Sequence, residues 1–157
     1  MSQVEVRLAE LGIEIPEVAA PVASYVPAVV SGNFVYTSGQ LPFVGGSLRA
    51  VGKVGEGAGL VDPGEAKEVA RICVLNGLAA AQSAIGSLDR ITRVVKVTGF
   101  VASDPSFTGQ PFVVNGASEL LGEIFGDDGQ HARSAVGVAV LPLDAPVEVE
   151  LILELHP

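Results

Sequence analysis

The sequence predicts an α+β domain: a mixed, mostly antiparallel sheet with two long helices on one of its faces. Three observations lead there. Period-two alternation of Val, Leu and Ile marks several strands. Two segments of helical periodicity, each with start and stop signals, interrupt them in the order hairpin, β, α, β, α, β, β. The 157-residue chain is also apolar enough, with 48% hydrophobic and 17% charged residues, to require a large buried surface.

Residues 1–24 read as a short amphipathic helix and a Pro-rich connection ahead of the main domain at 25–157. Val4, Leu8 and Leu11 fall on one helix face, Gly12 stops the helix, and Pro16 and Pro21 keep the next segment extended. Residues 25–30 and 34–38, flanking Ser31-Gly32-Asn33, form a β-hairpin. Gly45-Gly46 links short strands at 41–44 and 47–50. Residues 52–64 are a Gly-rich loop that lacks the spacing of a phosphate-binding loop.

The first long helix is announced by Asp62-Pro63-Gly64-Glu65, an N-cap followed by proline at the first helical position, and runs to Ile85 or Gly86. Its stripe of Ala66, Ala70, Cys73, Gly77, Ala80 and Ala84 is small enough to lie close against a sheet, and Cys73 reads as a packing residue. A Val-rich strand follows at Ile91–Ala102. The second helix, 112–125, stops at Gly126 and buries Val113, Ala117, Leu120 and Ile124. Asn115 lies about 200° around from Val113 and points toward solvent or a neighbouring subunit. In the last strands, 133–141 and Val147–Leu155, alternation separates Val136, Val138 and Val140 from Arg133, Ala135, Gly137 and Ala139. It likewise separates Val147, Val149 and Leu151 from Glu148 and Glu150. Joining the two valine faces under the helices puts Arg133 and Glu148 together on the helix-free face, with small residues leaving room for an anion. That face is too apolar for water, so an obligate oligomer is expected.

Charge and composition exclude several classes. Nine basic against 18 acidic residues give −9 and a pI near 4.5, with no Trp and 5% aromatics, which argues against nucleic acid. One cysteine and two histidines without HExxH spacing leave no expected metal or cofactor site. The longest uncharged helical stretch is broken by Asn76, Gln82, Ser83 and two glycines, so no membrane span is expected. The N-terminal residues lack a signal-type apolar core, making the cytoplasm the default.

Arg133 fits bidentate capture of a carboxylate, against the plainer reading of an ion pair with Glu148 or Glu150. Glu148 could orient water or exchange a proton, or merely solvate a strand face. Tyr25, Gly39 and Asn115 have equally plain roles as a strand aromatic, a turn residue and a surface amide. His131 reads as an exposed loop residue.

These residues resemble the Rid/YjgF family. His131-Ala132-Arg133-Ser134-Ala135-Val136-Gly137-Val138, with Leu141-Pro142 and Val147-Glu148-Val149-Glu150, is similar to its C-terminal signature. Tyr25-Val26 and Val35-Tyr36-Thr37-Ser38-Gly39-Gln40-Leu41-Pro42 resemble its hairpin motif, and Asn115 falls where it has a helix-start asparagine. The resemblance implies a chorismate-mutase-like α+β fold, a homotrimer with ligand clefts between subunits, and hydrolysis of enamine/imine intermediates such as 2-aminoacrylate to 2-keto acids and ammonia. It implies that Arg133 binds the substrate carboxylate, Glu148 orients water, Tyr25 and Asn115 line the cleft, and Gly39 admits close backbone approach. Ala135, also placed by the resemblance among the substrate-binding residues, departs from the Cys, Ser or Thr of many deaminases and keeps only its backbone groups for contact, and His131 departs from the usual proline. Alternatives are a non-catalytic binder of small carboxylates, an endoribonuclease and a chorismate mutase; the charge opposes the endoribonuclease, and the chorismate mutase would want a second arginine in the cleft.

Overall fold

The computed structural model describes residues 3–20 and 23–157, so Pro21 lies outside the described residues. Helix α1, Gln3–Glu10, buries Val4 and Leu8 against the main core, and Gly12 ends it at φ +68°. Val4 N–H donates to Asp89 Oδ1 at 3.0 Å, tying the helix start to the far side of the chain. The hairpin forms from β1, Ala28–Ser31, and β2, Phe34–Thr37. Its turn is two residues long, with Gly32 at φ +58° supplying the left-handed conformation a tight hairpin demands. Tyr25 precedes the strand rather than opening it. The ribbon β3, Phe43–Val44, and β4, Ser47–Leu48, pairs separately from the main sheet.

Helix α2 spans Pro63–Ile85, with the cap the sequence implies: Asp62 Oδ2 accepts from Gly64 N–H at 2.9 Å. Ala66, Ala70, Cys73, Gly77 and Ala80 are buried, whereas Ala84 is exposed. A Cβ at Gly77 would sit 2.9 Å from Leu151 Cδ1, which shows how closely the helix lies on the sheet. Strand β5, Ile91–Ala102, leads to α3, Gln110–Phe125, which begins two residues before the expected start. Strands β6, Ala132–Val138, and β7, Val147–Leu155, complete the fold. Among the described residues five strands form one sheet in the order β1-β2-β7-β5-β6, antiparallel except for β5 and β6. Both long helices cover one face, as expected. No helix among the described residues is long and apolar enough to cross a membrane.

The register corrects one expectation. Val97 pairs with Arg133, Gly99 with Ala135 and Val101 with Gly137, and Val97 and Val101 are buried under the helices. Arg133, Ala135 and Gly137 therefore share the helix side. Val136 stands on the open side beside Phe100, which pairs in turn with Glu148. Arg133 and Glu148 thus occupy opposite faces of the sheet. The physical reason is the closeness of α3: a Cβ on Gly99 would lie 2.5 Å from Val114 Cγ2, and one on Gly137 would lie 2.7 Å from Gln110 Nε2. The small residues of β6 make room for a helix, not for an anion. Strand β6 also stops at Val138, three residues early. A single helical turn, Pro142–Asp144, follows with Leu143 and Asp144 both at positive φ. The open face retains exposed apolar residues, including Val29 at 52%, Tyr36 at 43% and Val136 at 43% exposure.

The two helices cross at backbone distance, since a Cβ on Gly116 of α3 would overlap the Lys67 carbonyl of α2. Gly116→Ala is expected to destabilise by about 2 kcal/mol or more in urea unfolding. Gly122→Ala, in the same helix with open space around the position, is expected to be neutral or stabilising by roughly 0.5–1 kcal/mol.

Candidate functional site

Two clusters of polar side chains stand out, one on each face of the sheet. The first surrounds Glu148. After β2 the chain lays Ser38-Gly39-Gln40 alongside β7: Gln40 N–H donates to Val149 O at 2.8 Å and Val149 N–H returns a bond to Gln40 O at 3.0 Å. This places Gly39 directly against the Glu148 carboxyl, whose Cδ would be 2.7 Å from any Cβ at that position. Only glycine leaves the carboxylate where it is. Ser38 Oγ donates to Val26 O at 2.6 Å, and buried Asn76 on α2 donates to the Leu41 and Phe43 carbonyls at 3.0 and 3.1 Å, so the segment is anchored at both ends. The result is a cleft of about 470 Å³ whose lining includes Tyr25, Gly39, Gln40, Pro142 and Glu148. Partial burial pushes the Glu148 carboxyl above its ordinary range, and the negative charge of Glu150 adds to the effect.

The second cluster surrounds Arg133. Its Nη1 donates to Asn115 Oδ1 at 2.8 Å and to Ser118 Oγ at 3.2 Å, and Nη2 reaches Pro111 O at 3.4 Å. Asn115 does turn away from the helix's buried stripe, but it meets Arg133 of the same chain. Behind them, His131 Nδ1 lies 2.6 Å from Gly129 O, and Nε2 lies 2.8 Å from Ser118 Oγ. A carbonyl can only accept, so Nδ1 carries the proton, and in the Nδ1–H tautomer Nε2 accepts from Ser118. The bonds run in one direction, from guanidinium to hydroxyl to imidazole to carbonyl.

Every Arg133 partner is neutral. The ion pairs among the described residues are Arg7–Glu10, Lys67–Glu119 and Arg71–Glu123, so the plainer alternative, a pairing of Arg133 with Glu148 or Glu150, is not formed. Ala135 packs against the core and contributes nothing polar. The structure thus gathers Tyr25, Gly39 and Glu148 in one place and Arg133 and Asn115 in another. Ser118 was not foreseen, although its i+3 spacing from Asn115 puts both on one helix face. Gln40 and Asn76 were not foreseen either, since their roles depend on backbone groups far away in the sequence. His131 is half-buried and bonded at both ring nitrogens, not the exposed loop residue expected. Among the described residues no group of three or more His, Cys, Asp or Glu could hold a metal ion.

This geometry makes a spectroscopic prediction. Nitrogen-15 shifts of His131 at pH 8 should report the Nδ1–H tautomer, and Ser118→Ala should move the Nε2 resonance while leaving the far-ultraviolet dichroism unchanged.

Comparisons with known proteins agree with this architecture. The family profile "YjgF/chorismate_mutase-like, putative endoribonuclease" matches residues 5–155, which takes in both clusters. Protein TCP17 of Trypanosoma cruzi is 46% identical over 157 residues, 98% of this chain and 95% of that protein. The crystal structure of the protein Atu1372, of unknown function, from Agrobacterium tumefaciens superposes with a TM-score of 0.87 at 44% identity, covering 98% of this chain and 92% of that one. TdcF of E. coli, solved with bound serine, superposes with a TM-score of 0.64 at 25% identity, over 89% and 94% of the two chains. The α+β fold, the hairpin and C-terminal motifs and the match over nearly the whole chain lead to one conclusion: the chain belongs to the YjgF/chorismate-mutase-like family.

Proposed function

We propose that the protein hydrolyses enamine/imine intermediates of the 2-aminoacrylate type to 2-keto acids and ammonia. The observation that carries this reading is Arg133, a guanidinium held in place by neutral acceptors with no carboxylate of its own. Such a fork binds a substrate carboxylate in a bidentate manner. The serine bound to TdcF, itself an α-carboxylate ligand, supports a small carboxylate here.

The complete site forms between copies. Arg133 and Asn115 of one chain meet Tyr25, Gly39 and Glu148 of the next, in a homotrimer that buries the apolar open face. Exposed Val29, Tyr36 and Val136 on that face support the assembly. With the carboxylate clamped, Glu148 takes a proton from water as its oxygen bonds to the imine carbon, giving a carbinolamine. Glu148 gives that proton to the nitrogen, then takes the carbinolamine's hydroxyl proton and passes it to the same nitrogen, so that the C–N bond breaks and ammonia leaves as the carbonyl forms. An enamine first takes a proton on carbon to become the imine. Imines are reactive enough that positioning and one proton carrier suffice. A carboxyl whose pKa lies above the ordinary range is better matched to accepting and returning that proton.

A second reading, a non-catalytic carboxylate binder, is favoured by one observation: Ala135 places no hydroxyl or thiol beside Arg133. RNA cleavage fits poorly with a −9 chain, because phosphate contacts require clustered cations.

Freshly generated 2-aminoacrylate should yield pyruvate faster with the protein present, and Arg133→Ala should lower kcat/KM at least about 100-fold. Calorimetric binding of a 2-keto acid that depends on Arg133, without turnover, would instead establish the binder. The acidic limb of the kcat/KM profile should lie above pH 4.5, the ordinary glutamate value, and vanish in Glu148→Gln. Stability follows the same sign. Below the unfolded-state value the carboxyl is protonated in both states, and its contribution is lost as pH rises through the elevated folded value. Glu148→Gln should therefore melt higher than the wild type at pH 7 and equally at pH 3.5. A trimer should scatter light as three copies of a 16.0 kDa chain.

A further inference from the structure

A guanidinium presents five N–H donors in a planar fork, and how many of them the protein itself uses decides where a carboxylate can sit. Pro111, Asn115 and Ser118 lie at i, i+4 and i+7 on one face of α3 and receive the end of the Arg133 fork. The two Nη1 hydrogens go to Asn115 Oδ1 at 2.8 Å and Ser118 Oγ at 3.2 Å, and one on Nη2 points to Pro111 O at 3.4 Å. None of these bonds uses Nε. The donors left are Nε–H and the second Nη2–H, which share one edge of the fork and match the two oxygens of a carboxylate.

Ser118 accepts from Arg133 only while its own hydroxyl hydrogen is spent elsewhere. A serine inside a helix ordinarily turns back to the carbonyl one turn earlier, here that of Val114, which would carry Oγ away from the arginine. His131 prevents this by offering Nε2 as an acceptor at 2.8 Å. The ring is held in turn by its Nδ1 bond to Gly129 O at 2.6 Å. Gly129 lies against α3 itself, since a Cβ there would sit 2.5 Å from the Leu121 carbonyl oxygen. Without Ser118, Nη1 keeps Asn115 alone and the fork pivots about that single bond; Ala135 supplies no replacement. Resting on the carboxylate-binding role proposed for Arg133 above, we propose that His131 is a positioning residue: through the Ser118 hydroxyl it fixes the Arg133 fork so that its Nε–Nη2 edge receives the carboxylate.

Glutamine and asparagine at 131 separate the two ends of the ring. His131→Gln keeps an acceptor where Nε2 stands, whereas His131→Asn keeps only the donor toward Gly129. Calorimetry with pyruvate should show affinity within about twofold of wild type for His131→Gln and about tenfold weaker for His131→Asn. In a Ser118→Ala background, itself about tenfold weaker, His131→Asn should add nothing, because the connection is already cut. Pyruvate should also move the nitrogen-15 resonance of Arg133 Nε in the wild type. Equal affinities for wild type and His131→Asn, equal losses for the two His131 variants, a loss that adds to that of Ser118→Ala, or an Nε resonance unmoved by pyruvate would each overturn the assignment. If the wild type does not bind pyruvate, the carboxylate reading fails separately, and the ligand-free spectrum judges the positioning. Nη1 and Nη2 signals of Arg133 resolved in wild type and His131→Gln but merged in His131→Asn support it; identical spectra overturn it.

Discussion

The close approach of α3 to the β5–β6 edge of the sheet is the constraint on which the rest depends. Gly99 exists as glycine because the branched side chain of Val114 occupies the space a Cβ would need, and Gln110 lies over Gly137. Gly116 then lets the same helix cross α2 at backbone distance. Together these contacts fix where α3 sits along the edge, and so bring Asn115 and Ser118 over Arg133. They also decide the face of β6 that points inward. A helix this close can tolerate alanine and glycine beneath it but not valine, so the valines turn out and the arginine turns in.

From that choice follows the division of the polar residues into two clusters. Glu148 lies on the open face under the Gly39 backbone, partly buried, with its charge opposed by Glu150. Arg133 lies on the helix face with a chain of neutral groups behind it, ending at the Gly129 carbonyl. Each cluster has the charge the other lacks. A single copy keeps them on opposite sides of a sheet, and in the assembly proposed above a second copy brings them together. The apolar open face gives a reason for such an assembly that does not depend on the site at all.

The local elements were largely legible in the sequence. Asp62 and Pro63 began a helix because a capping oxygen and a fixed φ need no distant partner, and Gly86 and Gly126 ended helices for similarly local reasons. Alternation in Val147–Leu155 gave the correct faces because glutamate and valine differ sharply in their cost of burial. Strand β6 was misread because both of its faces are apolar: Ala and Gly alternate with Val, and hydrophobicity alone ranks the valines as the inner set. Gly39 showed only as a turn residue, since nothing nearby in sequence indicates that Glu148, more than a hundred residues later, would press against it.

The sequence by itself determined the fold class, the order and ends of the elements, the surplus of apolar surface and the identity of the charged residues available for chemistry. These properties depend on neighbours a few residues apart or on totals over the chain. Only the tertiary structure decided which face of β6 carries Arg133, what Asn115 and His131 bind, and that Arg133 and Glu148 are separated within one copy. Those outcomes depend on strand register and on how near one helix lies to a sheet edge. Distances of that kind are set by packing among residues remote in the chain, where a single methyl group chooses between two otherwise equal faces.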